Sequence, residues 1–333
     1  MGNSNIEPHK KTAPRGQHIH TFMQRIVSAI SVPGCGRQAR SPRGLRTLVL
    51  LALAAGLSSC AWLSAKQSEL ALRPTPGRPA AFASDDAGLR PGDLRFTVPV
   101  VQAGAPTQQL ALWWLPHPDP KAPTLLYLHG TFRNLYQNLS KIDALRDAGF
   151  SIVAVDYRGW GDSTRITPDE ATINADARLA WAEMQRRQPL PGRRVIFGHS
   201  MGGAVAVTLA SSLLHGSEYG ALALESTFTR LSAVAAEAGF WGRIAAGLTT
   251  LEFNSLAKIK RVDAPILMLH GDADRTVPIT LGRRLRDAAP PGVRWVEVPG
   301  GTHSQLHSQA PDIYRRAFAE LMNPAAIAPA PPP

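Results

Sequence analysis

The amino-acid sequence predicts an α/β fold in which helices cover both faces of a mostly parallel β-sheet. Three observations lead to this fold class. Short apolar stretches that suit buried strands alternate with longer stretches of helical spacing from about residue 93 to residue 322. A glycine-rich turn joins one of these strands directly to a helix of small apolar residues. Hydrophobic residues make up 44% of the 333 residues, which is ample for a large buried core.

The basic charge of the chain lies mainly in its N-terminal region. The formal net charge is +11, and residues 1–59 hold eight Lys or Arg against the single acid Glu7. From Cys60 onward the chain holds 28 basic and 24 acidic residues. Because the surplus of basic residues from Cys60 onward is so small, this part of the chain needs no polyanionic partner. The sequence therefore predicts no binding of nucleic acid.

The N-terminal region is predicted to be a leader. Residues 1–44 are polar and basic without periodicity, which is typical of disorder. The apolar stretch Leu48–Leu57 then follows Arg46. Ten apolar residues after a basic flank suit the core of a signal peptide and are too few to span a bilayer. The true start is left open between Met1 and Met23.

The stretch Leu57-Ser-Ser-Cys60 resembles the lipobox of bacterial lipoproteins, in which the cysteine is lipidated and becomes the mature N-terminus. The resemblance implies a signal peptide over residues 1–59 and a lipid anchor at Cys60. It also implies a place on the periplasmic or extracellular side of the bacterial cell envelope, with the membrane that holds the anchor left open. A plain secretory signal and an uncleaved anchor are the alternatives. Residues 60–90 are rich in Pro, Gly and Ala, so we expect a tether there.

The body of the chain, residues 91–322, is predicted to be one α/β domain. Its first two strands alternate and favour an antiparallel pair, whereas the later strands suit a parallel sheet. The predicted strands are residues 93–101, 108–115, 124–128, 151–155, 195–197, 221–224, 265–269 and 293–298. The predicted helices are residues 138–148, 171–188, a helix from residue 201 onward, 278–288 and 311–321. Residues 227–260 are predicted to form a small helical cap, and the Pro/Ala-rich tail 323–333 to be unstructured.

The turn Gly198-His-Ser-Met-Gly202 matches the pattern G-x-S-x-G between a strand and a helix. A turn this tight strains the backbone at Ser200, and glycines at both ends avoid Cβ atoms that would collide across it. It is expected to lift Ser200 Oγ off the sheet edge, above the first amides of the helix. Ser200 is therefore the candidate nucleophile. The alternative is a glycine-rich turn with a solvated serine.

A nucleophilic serine needs a base with a pKa near the working pH, which favours histidine. In this sheet architecture the chain order is serine, acid, histidine. His303 follows the last predicted strand and is the candidate base, with His307 as the alternative. Asp274, beyond the end of a strand, is the candidate acid that orients the imidazole. Asp272 and Glu225 are the alternative acids.

The tetrahedral intermediate of such a reaction needs hydrogen-bond donors aimed at its oxyanion. The amide of Met201 begins a helix and gains from the helix dipole. The amide of Thr131, in the loop after the third predicted strand, is the second expected donor. Phe132, Trp160 and Phe228 are the candidates for the substrate pocket.

The sequence predicts no metal and no cofactor. Both cysteines, Cys35 and Cys60, precede the body, so the predicted domain has no disulfide and no cysteine-ligated metal.

Several motifs follow one another along the body, over about residues 93–322. They are His129-Gly130, Asp156–Ser163, Gly198–Gly203, His270–Asp274 with Val277-Pro278, and Gly301–His303. Together they resemble the α/β-hydrolase superfamily, and within it the small-capped alpha/beta-hydrolase-domain and serine-aminopeptidase-like branch. The resemblance implies the α/β-hydrolase fold and a serine hydrolase. Members of the branch include carboxylesterases, thioesterases that remove acyl groups from proteins, lipases and a few peptidases.

We therefore expect a lipid-anchored serine hydrolase of the bacterial envelope. It is expected to cleave an ester or thioester of a hydrophobic or acylated substrate through an acyl-enzyme on Ser200. A peptidase or amidase of the same fold is the alternative enzyme, and a non-catalytic envelope scaffold is the hypothesis from another class. The natural substrate and the oligomeric state are left open.

Overall fold

The computed structural model describes residues 65–84, 87–237, 239, 244, 247 and 249–322. The predicted leader, the lipidation site Cys60 and the predicted tail 323–333 lie outside these residues. Phe240, Trp241 and Leu248 of the predicted cap also lie outside them. Within the described ranges, no helix is both long enough and apolar enough to cross a membrane.

Eight strands form one sheet at the centre of the described chain. They are β1 (Leu94–Val100), β2 (Gln108–Leu115), β3 (Thr124–Leu128), β4 (Ser151–Asp156), β5 (Arg194–His199), β6 (Ala221–Glu225), β7 (Ile266–Gly271) and β8 (Arg294–Val298). Their spatial order is β1-β2-β4-β3-β5-β6-β7-β8. β2 is antiparallel to β1 and β4, and every other neighbouring pair is parallel. The predicted fold class, a doubly wound and mostly parallel α/β sheet, is confirmed.

Helices cover both faces of this sheet. They are α1 (residues 65–72), α2 (Leu139–Asp147), α3 (Glu170–Arg187), α4 (Met201–Ala210), α5 (Leu231–Glu237), α6 (Ser255–Ile259), α7 (Ile279–Ala288), α8 (Leu306–Gln309) and α9 (Pro311–Leu321). Short 3-10 helices lie at Ala80–Phe82, Tyr136–Asn138 and Pro191–Arg193. In β3, Leu126 and Leu128 belong to one hydrophobic cluster, and Leu125 and Tyr127 to another. Because successive side chains of a strand point to opposite faces, the two clusters are the cores on the two sides of the sheet.

Two short helices, α5 and α6, lie in the region predicted to be a cap, residues 227–260. Phe228 and Phe253 of this region are only 2% and 1% exposed. Both belong to the same hydrophobic cluster as the apolar side chains of α4. These two aromatic rings therefore stabilise the core of the domain.

Residues 65–84 pack on the body, which corrects the prediction of a tether over residues 60–90. Leu72 of α1 is fully buried and belongs to the core cluster of one sheet face. Further along, the amide of Gly77 donates a 2.7 Å hydrogen bond to the carbonyl oxygen of Gly161. Full burial of a leucine side chain stabilises a fold by about 1.5–3 kcal/mol, so this segment is held by ordinary core packing. The folded domain therefore begins before the predicted boundary at residue 91.

Candidate active site

Ser200 lies in a strained turn between β5 and α4. Its φ of 56° and ψ of −120° lie in a region that residues other than glycine rarely adopt. A Cβ atom at Gly198 would lie 2.2 Å from the carbonyl oxygen of Gly202, and one at Gly202 would lie 2.0 Å from that of Leu128. Both positions therefore require glycine. The turn places Ser200 at the carboxyl edge of the sheet, where β5 ends.

Ser200, His303 and Asp274 form a chain of hydrogen bonds. Ser200 Oγ lies 3.0 Å from His303 Nε2, and His303 Nδ1 lies 2.8 Å from Asp274 Oδ2. Because a carboxylate only accepts, Nδ1 carries the proton and Nε2 is left to accept that of the serine hydroxyl. The three residues follow β5, β7 and β8, so the carboxyl ends of parallel strands bring them to one edge of the sheet.

The surroundings of Asp274 keep its carboxylate charged and fixed. Burial alone would raise the pKa of Asp274, but hydrogen bonds from His270, His303 and the Val277 amide outweigh burial and lower the pKa below its usual value. Its Oδ1 atom accepts hydrogen bonds of 2.9 Å from the amides of Thr276 and Val277. His270 Nε2 lies 3.4 Å from Asp274 Oδ2. The carboxylate is thus ionised at neutral pH and held in the orientation that pairs it with His303.

The alternative acids and the alternative base do not take part in the hydrogen bonds that join Ser200, His303 and Asp274. Asp272 is exposed, and its carboxylate accepts a 2.6 Å hydrogen bond from the amide of Gly300. His307 Nε2 lies 3.2 Å from Ser140 Oγ. In the described part of the chain, the side chains of Asp272, His307 and Glu225 make no hydrogen bond to the side chain of Ser200 or of His303.

Glu225 instead forms a buried ion pair with Lys141. The side chains of Lys141 and Glu225 are 2% and 0% exposed and joined by a hydrogen bond. Tyr314 Oη donates a second hydrogen bond, of 2.9 Å, to Glu225. Burial lowers the pKa of Lys141, and the charge of Glu225 opposes that fall. This pair had no signal in the sequence, because its members lie on α2 and β6, far apart along the chain.

His199 connects the nucleophile turn to the loop of His303. Its Nε2 atom lies 2.9 Å from the carbonyl oxygen of His303, and the two rings lie 5.0 Å apart. Burial, with the charge of Lys141 nearby, lowers the pKa of His199 well below its usual value, so the ring is neutral at neutral pH. Since a carbonyl oxygen only accepts, Nε2 carries the proton and donates it to this bond. The contact fixes the main chain of the candidate base.

The loop after β3 approaches the nucleophile closely. A Cβ atom at Gly130 would lie 3.0 Å from Ser200 Cβ, and Thr131 lines the same cavity as Ser200. Met201 is the first residue of α4, and the first amides of a helix have no partner within it. Both residues expected to bind the oxyanion are therefore near Ser200, and that role stays a prediction.

The conformation of this loop depends on the segment that follows α1. Phe132 adopts a φ of 69°, which is strained for an aromatic residue. Thr75 Oγ1 donates a 2.7 Å hydrogen bond to the carbonyl oxygen of Phe132. Asn134 Nδ2 donates in turn to the carbonyl oxygens of Thr75 and Gly77, at 3.2 and 2.9 Å. No local sequence pattern indicates these contacts, and the composition of residues 60–90 favours a tether instead.

A cavity of about 240 Å³ opens at Ser200 and is lined by Phe132, whose ring is 45% exposed. The other two pocket candidates require correction. Trp160 and Phe228 are 0% and 2% exposed and belong to the core cluster, so they do not line this cavity. The ring of Trp160 packs 5.7 Å from that of His129. Across the residues that the structure describes, no three His, Cys, Asp or Glu side chains are grouped as metal ligands.

Known sequences similar to this chain come from several organisms. A sequence model described as serine aminopeptidase, S33 matches residues 119–257, which include Ser200 but neither Asp274 nor His303. An uncharacterised protein of Mycobacterium tuberculosis is 33% identical over 266 residues, which cover 79% of this chain and 89% of that protein. The lysophosphatidylserine lipase ABHD12 of Danio rerio is 31% identical over 194 residues, which cover 54% of this chain and 50% of that lipase.

Solved structures share the fold at lower identity. An esterase of Pyrococcus furiosus superposes with a TM-score of 0.59 and 17% identity, covering 75% of this chain and 97% of the esterase. A bromoperoxidase of Bacillus anthracis superposes with a TM-score of 0.51 and 15% identity, covering 68% of this chain and 99% of that structure. The two structures carry different activities in their names, so this likeness shows the fold alone.

Proposed function

This chain belongs to the α/β-hydrolase superfamily, and we propose that, as a hydrolase of this fold, it cleaves a carboxylic ester or thioester through an acyl-enzyme on Ser200. The observation that carries the proposal is the chain of hydrogen bonds from Ser200 Oγ through His303 to Asp274, at 3.0 and 2.8 Å. A serine that only faced solvent in a glycine-rich turn would need no oriented histidine beside it.

In the first half of the proposed reaction, Ser200 Oγ attacks the carbonyl carbon while His303 Nε2 takes its proton. The negative charge moves to the carbonyl oxygen, which the amides of Thr131 and Met201 bind. Asp274 stabilises the imidazolium that forms. When the intermediate collapses, His303 gives the proton to the leaving alcohol or thiol and the acyl group stays on Ser200.

In the second half, water takes the place of the alcohol or thiol. His303 removes a proton from the water as its oxygen attacks the acyl carbon. The second tetrahedral intermediate then collapses, His303 returns the proton to Ser200 Oγ, and the carboxylic acid leaves. The same imidazole thus acts as base and then as acid in each half, which requires one fixed tautomer and explains the need for Asp274.

A hydrophobic or acylated substrate is the class that the site favours. The exposed ring of Phe132 gives the cavity at Ser200 an apolar wall. Among the relatives, one bears the name of a lysophosphatidylserine lipase, which supports an acyl ester as substrate. We expect the rate on p-nitrophenyl esters to depend on acyl chain length. Equal kcat/KM values across the series would contradict this part of the proposal.

A peptidase or amidase is the second candidate, because the matching family model is described as a serine aminopeptidase. The same chain of hydrogen bonds serves amide cleavage, so geometry alone does not separate the two reactions. Aminoacyl p-nitroanilides assayed beside p-nitrophenyl esters will separate them. A higher kcat/KM on the anilides than on the esters would favour a peptidase over an esterase.

The experiment that tests catalysis itself is labelling with a fluorophosphonate probe, which reacts with activated serines. We expect the wild-type protein to be labelled and Ser200→Ala to be unlabelled. Ser217→Ala is the matched control, since Ser217 is exposed and bonds only to the carbonyl oxygen of Leu214. No labelling of the wild-type protein, or equal labelling of Ser200→Ala, would favour a non-catalytic scaffold.

We also propose that lipidation of Cys60 anchors the chain to the bacterial envelope. The support is the resemblance of Leu57-Ser-Ser-Cys60 to a lipobox after an apolar stretch. We expect the wild-type chain in the membrane fraction and labelled by radioactive palmitate. Cys60→Ser removes both signals, whereas Cys35→Ser, which changes the other cysteine, keeps them. Labelling of Cys60→Ser would overturn the proposal.

A further inference from the structure

Two arginines line the cavities at the proposed catalytic residues. Arg133 and Arg275 both lie on a cavity of about 500 Å³ that reaches His303. Arg133 also lies on the neighbouring cavity of about 240 Å³ that contains Ser200. No Asp or Glu is among the residues that line either cavity. Among Asp, Glu, Lys and Arg, only these two arginines line the two cavities.

Neither guanidinium forms an ion pair or a side-chain hydrogen bond with any residue that the structure describes. Other arginines of the domain do so: Arg158 bonds Asp176 at 2.8 Å, and Arg146 bonds Asp93 at 2.8 Å. An exposed arginine without a partner is common on protein surfaces. Two that line a cavity beside the candidate base, one of which also lines the cavity of the nucleophile, are suited to bind an anion that enters from outside.

The backbone that carries both arginines is held by the site itself. Arg133 follows Phe132, whose carbonyl oxygen accepts the hydrogen bond from Thr75. Arg275 follows Asp274, whose carboxylate accepts hydrogen bonds from the amides of Thr276 and Val277. The main chain at both positions is thus held close to the catalytic residues, which limits the region that the two guanidinium groups can reach.

Resting on the proposed function, we propose that the preferred substrates are esters that carry an anionic group, a carboxylate or a phosphate, a few bonds from the scissile carbonyl. Arg133 and Arg275 bind this group, and the planar guanidinium matches carboxylate and phosphate oxygens in pairs. Phe132 contacts the apolar part of the substrate on the other side. The anion lies in the acid half or in the alcohol half of the ester, and the two cases are tested separately.

The test uses two pairs of esters that differ in charge. In the first pair, mono-p-nitrophenyl succinate carries a carboxylate in the acid half of the ester, and p-nitrophenyl butyrate does not. In the second pair, the butyrate ester of 4-hydroxybenzoate carries a carboxylate in the alcohol half, and the butyrate ester of 4-hydroxybenzamide does not. We expect kcat/KM to favour the anionic member of at least one pair by about tenfold, the effect of one charge-assisted contact at a partly exposed site. The preference should fall as salt rises, because exposed charges are screened.

Substitution of the two arginines tests whether they cause the preference for the anionic ester. Arg133→Gln and Arg275→Gln should each lower kcat/KM more for the anionic ester than for its neutral partner, and the double variant should remove the preference. Arg316→Gln on α9 is the matched control, since it removes an exposed arginine that lines neither cavity. Circular dichroism of each variant checks that the fold is retained.

The contrary outcomes separate the two proposals. Ser200-dependent turnover of neutral esters without preference in either pair overturns the anion site and leaves the proposed function intact. A preference that survives in the folded double variant overturns the assignment to these arginines. Failure to hydrolyse any ester or thioester, charged or neutral, overturns the proposed function and the anion site with it.

Discussion

The hydroxyl group of Thr75 donates a 2.7 Å hydrogen bond to the carbonyl oxygen of Phe132, although 57 positions separate the two residues in the chain. Thr131, whose amide is the expected oxyanion donor, directly precedes Phe132. The bond therefore connects the segment after α1 to the loop that completes the candidate site. It holds Phe132 at a positive φ that the loop alone would not favour.

Loss of this hydrogen bond should slow catalysis more than it weakens the fold. Thr75→Val keeps the shape of the side chain but leaves the carbonyl oxygen of Phe132 without its donor. Since small misplacement of a catalytic group has large effects on rate, we expect kcat on an ester to fall about tenfold. Thr75→Ser keeps the hydroxyl and is the control. Unchanged kcat in a folded Thr75→Val protein would show that the loop keeps its position without Thr75.

Replacement of the acid should leave the site assembled but inactive. In Asp274→Asn the amide of the side chain presents an N–H or a neutral oxygen to His303, and the tautomer with a free Nε2 is no longer enforced. We expect kcat to fall by roughly three to four orders of magnitude. Asp272→Asn is the control and should stay within about twofold of wild type, because Asp272 is exposed and bonds only the Gly300 amide. The reverse ranking of the two variants would make Asp272 the acid.

Removing only one member of the buried ion pair between Lys141 and Glu225 should destabilise the folded domain. Lys141→Met leaves the carboxylate of Glu225 buried with only the hydroxyl of Tyr314 as donor. We expect the free energy of unfolding in urea to fall by about 3–5 kcal/mol. The double variant Lys141→Met with Glu225→Gln carries no buried charge and should regain part of this loss. If the double variant is no more stable than Lys141→Met, the unpaired charge is not the cause.

The stability of the domain should depend on the ionisation of Asp156. Burial raises the pKa of Asp156 to about 8 and lowers that of His129, 3.4 Å away, to about 4. Both side chains are therefore neutral at pH 7. The unfolded carboxyl titrates near pH 4, so between about pH 4 and 8 the folded state holds one more proton than the unfolded state. Asp156 thus makes stability fall as pH rises through this window.

Asp156→Asn removes this proton while Asn Oδ1 can still accept from the Leu135 amide, as Asp156 does at 2.9 Å. We expect the variant to gain stability relative to wild type as pH rises from 5 to 8, by at most about 1.4 kcal/mol per pH unit. Thermal unfolding of both proteins at several pH values measures the difference. Asp312→Asn, at an exposed position, should show no such trend. A constant difference for Asp156→Asn would mean that Asp156 is ionised throughout.

The strands and helices of the body were predictable because each carries its own local signal. Most of β3 and the centre of β5 are apolar, α3 has helical spacing, and the glycines around Ser200 mark the turn between strand and helix. The proximity of Ser200, Asp274 and His303 followed from one topological rule, that the carboxyl ends of parallel strands share an edge. Their roles in catalysis stay predictions that the experiments above test.

The rest of the site depends on contacts that no local pattern records. Thr75 and Lys141 are ordinary polar residues in sequence, and only the folded chain brings them to Phe132 and Glu225. Trp160 has the size and apolar character of a pocket residue, but its side chain is fully buried in the core. An aromatic residue beside a motif therefore does not reveal on which side of the backbone its ring lies.

The packing of α1 also sets how far the enzyme can work from its attachment point. Leu72 fixes α1 in the core, and the helix is present from residue 65. If Cys60 is acylated as proposed, the link between lipid and globule is five residues, at most about 18 Å of fully extended chain. The domain would then stay close to the bilayer, so we expect esters held at the membrane surface to meet the enzyme more often than esters dispersed in the surrounding fluid.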